Sequence, residues 1–63
     1  MERLEYLTEI RKEKKMSVTE LARLAGTSEA NMSRYETGRR KLPVETAKKI
    51  AAVLDIEWWK LYE

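Results

Sequence analysis

The sequence predicts an all-α domain, and three observations carry that prediction. Apolar residues recur at three- and four-residue spacing along most of the chain. No stretch alternates with the period of two that a half-buried strand requires. Only two glycines and one proline punctuate the 63 residues, and each stands where a helical pattern stops or starts. A chain this short forms one domain, residues 1–63, near the lower size at which a core holds without disulfides or metal.

The elements follow in order. A first helix over about residues 2–14 carries Leu4, Leu7, Ile10 and Arg11 at helical spacing, with Glu, Lys and Arg on a solvated outer face. Ser17 is a good N-cap, and Glu20 three residues later completes a capping-box pattern. The second helix then runs from Val18 to Ala25 and buries Leu21, Ala22 and Ala25. Gly26 ends it, because glycine enters the left-handed backbone without a Cβ penalty. Thr27 or Ser28 caps a third helix, Glu29 to Thr37, which stops at Gly38. Its apolar stripe is thin, chiefly Met32 and Tyr35, which leaves most of its surface free to touch something else. Pro43 suits the first turn of a fourth helix, Val44 to Leu54, with Val44, Ala47, Ile50, Ala51 and Leu54 on one face. Asp55 breaks that series, and a short fifth helix holds Ile56, Trp58, Trp59, Leu61 and Tyr62. Trp58 and Leu61 are expected to seal the core.

The spacing from Ala22 to Gly26 to Met32 suits two short helices crossing steeply through a three-residue turn. That is the pattern of a helix-turn-helix, whose second helix enters the major groove of DNA. The charge distribution agrees. Residues 21–49 carry seven basic and three acidic side chains, a balance of +4, whereas residues 1–20 carry five of each. The positive excess thus falls on the third helix and just after it, as a face toward a polyanion requires.

The chain has no cysteine and no histidine. Disulfides and cysteine metal sites are excluded, and the commonest general base is missing. Catalysis would rest on carboxylates, lysines or hydroxyls in a bundle with little room for a substrate pocket; no enzyme and no cofactor are expected. No apolar run approaches the roughly 20 residues of a membrane span, and the start, Met1 to Glu5, lacks the order of a signal peptide. A cytoplasmic protein is the expectation.

With these residues in place, the chain resembles the lambda-repressor-like DNA-binding domains of the Cro and xenobiotic-response-element type, from about Leu7 to Tyr62. The resemblance rests on Arg11, Leu21-Ala22, Gly26, Met32-Ser33-Arg34, Glu36 and Gly38 followed by basic residues, then Pro43 and Ala52-Val53-Leu54-Asp55-Ile56. It implies a compact five-helix domain with the helix-turn-helix in helices two and three. It implies an ion pair between Arg11 and Glu36, against the alternative of two ordinary surface charges. Glu29, Ala30, Asn31 and Arg34 match positions that relatives aim at base edges. Arg34 can give two parallel hydrogen bonds to guanine, Asn31 can meet an adenine edge or a phosphate, and Ala30 can offer a methyl to thymine. Glu29 either accepts from cytosine, braces Arg34, or simply complements the helix dipole. Arg39, Arg40 and Lys41 match backbone-contacting positions, and the hydroxyls of Ser17, Ser28 and Ser33 can also meet phosphates. Many relatives carry glutamine near the start of the second helix; Val18 stands there instead, to touch a thymine methyl or cover the core edge.

Trp59 and Tyr62 either complete the core or form a patch for a second copy, and the resemblance favours a homodimer on half-sites about 34 Å apart. The expected function is a sequence-specific double-stranded-DNA-binding regulator, a repressor whose dimer blocks polymerase at an operator. A chain of this length leaves no room for a sensing domain, so control is expected from concentration, competing sites or a separate protein antagonist. The alternative is a protein-interaction module or antitoxin-like partner that keeps the same fold; steep salt dependence separates the two.

Overall fold

Helix boundaries follow the capping chemistry written into the chain. The structure, a computed structural model, describes residues 4–62. Four α-helices, α1 (Glu5–Glu13), α2 (Val18–Ala25), α3 (Glu29–Thr37) and α4 (Val44–Leu54), precede a 3-10 helix over Trp58–Tyr62. No strand occurs among the described residues. Residues 2 and 3 of the expected first helix lie outside the described residues.

Ser17 Oγ accepts from Glu20 N at 3.0 Å and Ser28 Oγ from Asn31 N at 3.1 Å, so Ser28 rather than Thr27 caps α3. Gly26 and Gly38 both take the left-handed conformation, at φ 73° and 78°. Each is followed by a backbone bond that closes the helix end, Thr27 N to Ala22 O and Arg39 N to Arg34 O, both 2.9 Å. A Cβ at Gly26 would meet nothing within 4 Å; the positive φ alone selects glycine there. Asp55 makes the same turn after α4 at φ 59°, and Lys15 makes one after α1 at φ 57°.

The core draws on every element. Leu7, Leu21, Met32, Ile50, Leu54 and Leu61 are fully buried, each burial worth about 1.5–3 kcal/mol. Ala22, Ala25 and Ala47 stand among them, small enough for the helices to approach closely. No helix is long and apolar enough among the described residues to cross a membrane.

Three expectations need correction. The fifth element is a 3-10 helix, not an α-helix: its five residues are too few for a stable α-helix, and the tighter coil suits short pieces. Val44 is 48% exposed, because it is the first residue of α4 and precedes the turn that packs on the core. Only Leu61 of the Trp58–Leu61 pair enters the core. Trp58 stays half-buried at the rim, edge-on to Trp59 and Tyr62 and with Lys48 Nζ 5.5 Å from its ring centroid. Val18 packs against the core edge.

Candidate nucleic-acid interface

At ~100° per residue, the three buried residues of α3, Met32, Tyr35 and Glu36, lie on one side of the helix. Ala30, Ser33 and Arg34 therefore point the other way and are exposed. Together with Thr37 and Arg39 they line a shallow hollow on the outer surface. Asn31 and Glu29 stand on the two flanks of this face, Asn31 half-buried and Glu29 exposed.

What holds α3 in this attitude is a buried polar cluster behind it. Arg11 Nε donates to Glu36 Oε2 at 2.8 Å and Nη2 to Oε1 at 3.1 Å, a two-point pairing of side chains that are 11% and 7% exposed. Thr8 Oγ1 donates to Glu36 Oε1 at 3.0 Å, and Arg11 Nη1 donates to Met16 O at 2.8 Å, tying in the turn before α2. The backbone of Leu4 also donates to Glu36 O at 3.1 Å. No buried side-chain nitrogen or oxygen among the described residues lacks a partner, so the charges sit in low dielectric fully hydrogen-bonded.

The front of α3 carries a second network. Asn31 Oδ1 accepts from Arg40 Nη1 at 3.0 Å and from Arg34 Nη1 at 3.4 Å. Glu29 does not brace Arg34; it accepts from Thr19 Oγ1, which links the first turns of α2 and α3. Ser17 and Ser28 spend their oxygens on caps while keeping their hydroxyl protons to donate. Thr37 Oγ1 donates to Ser33 O at 3.0 Å.

The three basic loop residues are all exposed but diverge. Arg39 borders the hollow on α3, and Arg40 bends back to Asn31. Lys41 lines a separate groove with Leu4, Tyr35, Leu42 and Tyr62, and Arg40 borders that groove too. Trp59 is 50% and Tyr62 42% exposed, and Tyr62 borders that same groove. Tyr62 Oη donates to Leu42 O at 2.7 Å, and burial of the phenol raises its ionisation above the ordinary 10.0. Among the described residues, no cluster of acidic side chains is arranged to hold a metal.

Sequence reasoning missed Thr8, Thr19 and Thr37. The partners of Thr8 and Thr19 lie in other elements, which no spacing rule reaches, whereas Thr37 bonds back to the carbonyl four residues earlier, a local pattern open to a reading of the sequence.

Residues 7–58 match the helix-turn-helix family. The chain is 42% identical over 55 residues to the HTH-type transcriptional repressor RghR of Bacillus subtilis (strain 168), covering 86% of this chain and 41% of that protein. It is 40% identical over 58 residues to the uncharacterized HTH-type transcriptional regulator RghRB of the same organism, covering 90% and 42%. The chain thus spans about two fifths of the length of these curated relatives. Its fold superposes on SinR, the master regulator for biofilm formation, in complex with DNA, with a TM-score of 0.86, 31% identity, and 95% and 97% of the two chains covered. Against the SinR protein/SinI protein complex the TM-score is 0.87 at 30% identity, covering 98% of this chain and 61% of that one.

Proposed function

This chain belongs to the Cro/C1-type, XRE-like helix-turn-helix family, and from that premise we propose that it binds specific sites on double-stranded DNA and regulates transcription, as a repressor. The observation that carries the reading is the outward face of α3. Nine residues commit only three to the interior, while Ala30, Ser33 and Arg34 stand exposed with basic residues following. The family is one of transcription regulators rather than of enzymes, which supports a role without catalysis.

In this reading α3 lies in the major groove. Glu29, Ala30, Asn31 and Arg34 form the reading surface, with Arg34 directed at guanine and the Ala30 methyl at thymine. Ser17, Ser28 and Ser33 donate to phosphates, and Arg39, Arg40 and Lys41 supply the positive field beside the groove. The exposed Trp59 and Tyr62, each edge-on to Trp58, serve a second copy. Cα extents of 25 × 23 × 21 Å leave about a side-chain layer between two copies on half-sites roughly 34 Å apart. Such a dimer on an operator excludes polymerase by occupancy.

A second reading, a protein partner on this fold, draws on the likeness to SinR in its complex with SinI. Titrating the chain against a selected duplex at several salt concentrations distinguishes the two. DNA binding through phosphates weakens steeply as salt rises, because counterions are released on binding. A flat response, with tight binding only to a protein, contradicts the proposal.

A further inference from the structure

We propose that Asn31 is a positioning residue that gathers Arg34 and Arg40 into one donor-only surface, and that this surface selects two guanines close together in the half-site. The inference rests on α3 being the helix that enters the groove, and it assigns Arg40 a role in reading sequence.

The geometry begins at the end of α3. Gly38 turns the chain at φ 78°, and the amides of Arg39 and Arg40 both bond to Arg34 O, at 2.9 and 3.2 Å. The loop is thereby folded back over the last turn, and the Arg40 guanidinium reaches Asn31 nine residues earlier. A guanidinium has five donors and no acceptor, so the Asn31 amide must present its oxygen to both arginines. That oxygen has two lone pairs, and Arg40 and Arg34 occupy them.

The consequence is chemical. Reading adenine requires an amide to accept from N6 while donating to N7. With Oδ1 engaged, Asn31 offers only N–H groups, and the arginines beside it offer only N–H groups. Adenine and cytosine each present a donor in the major groove, which such a surface cannot satisfy, and thymine presents a single acceptor beside a methyl group. Guanine alone presents two acceptors, N7 and O6, and no donor. The two Nη1 atoms, at 3.0 and 3.4 Å from one oxygen, lie no more than about 6.4 Å apart, close to two base-pair steps of ~3.4 Å each. The two guanines are therefore adjacent or separated by one base pair.

Charge points the same way. Among the described residues the one ion pair is Arg11 with Glu36, and the nearby Glu29 carboxylate is held by Thr19. The two cations are brought together over a neutral oxygen, and an acceptor-rich edge relieves their repulsion.

The test uses the full chain, a duplex it selects from random DNA, and the same duplex with each guanine replaced in turn by 7-deazaguanine, which removes the N7 acceptor alone. Folding of each variant is checked by circular dichroism. Two guanines, adjacent or separated by one base pair, should each cost roughly 5- to 150-fold in affinity when replaced. Arg34→Ala should abolish the penalty at one and Arg40→Ala at the other. Asn31→Asp should keep both preferences, since a carboxylate still accepts from both arginines although it can no longer donate. If Arg40→Ala weakens all duplexes alike while Arg34→Ala relaxes one base pair, this inference falls and the groove-entry reading stands. Loss of an adenine preference in Asn31→Asp overturns it as well. If neither Arg34→Ala nor any other substitution on the outer face of α3 changes a base preference, both readings fail.

Discussion

Arg11 on α1 and Glu36 on α3 pair at two points, 2.8 and 3.1 Å, behind the face of α3 that meets solvent. The contact spans 25 residues of sequence and fixes the back of one helix to the first helix of the bundle. The stability of the domain and the aim of α3 therefore depend on the same carboxylate.

Glu36→Ala should cost about 3–5 kcal/mol, because it leaves the Arg11 guanidinium buried without its partner. A domain of this size has roughly 3–9 kcal/mol of stability in total, so the variant loses at least about a third of it and at the low end of that range is unfolded. Thr8→Val is the milder probe; losing one hydrogen bond to a charged group should cost about 1.5–3 kcal/mol. Urea titration followed by circular dichroism measures both, and unchanged midpoints would remove the pair from any structural role.

Arg34→Ala should weaken binding to a selected duplex by about 1–3 kcal/mol and relax discrimination at one base pair. Its side chain is exposed, and the one hydrogen bond it makes among the described residues is a long 3.4 Å contact to Asn31, so stability should barely change. Competition binding across single-base variants of the duplex reads the outcome; equal preference at every position in native chain and variant alike would count against it.

Arg39→Ala should behave differently. This residue borders the outer hollow and makes no side-chain bond among those described. It should weaken all duplexes to a similar degree and lower the salt slope by about one. Retained general affinity with a lost base preference would reassign it.

Tyr62 gives a pH prediction. Its phenol donates to Leu42 O and burial raises its ionisation above 10.0. A raised value in the folded state means that the stabilisation is fully present below the unfolded value. It is lost as pH rises through the folded one. The native chain minus Tyr62→Phe, followed by phenolate absorbance, isolates this group. A Tyr62 titrating at or below the ordinary value contradicts the contact.

How much of this was legible in the sequence depends on the range of each interaction. The limits of α2 and α3 were readable because Ser17, Gly26, Ser28 and Gly38 act on backbone groups within a turn of themselves. The burial of Met32 and Tyr35 followed from periodicity alone. The pairing of Arg11 with Glu36 was reached only through family resemblance, since no local rule joins residues 25 apart. The Thr19–Glu29 and Asn31–Arg40 contacts were not reached. Both depend on how tightly a turn folds back, and helical periodicity carries no information on that. The 3-10 form of Trp58–Tyr62 was missed for a related reason: apolar spacings of three fit either coil over five residues.

Isotope-labelled chain titrated with a selected duplex, amide by amide, addresses the groove-entry account most directly. The account predicts that the largest shifts fall on residues 28–41, with smaller ones at the start of α2 near Ser17. Shifts confined to Trp58–Tyr62, with α3 unmoved, would contradict it.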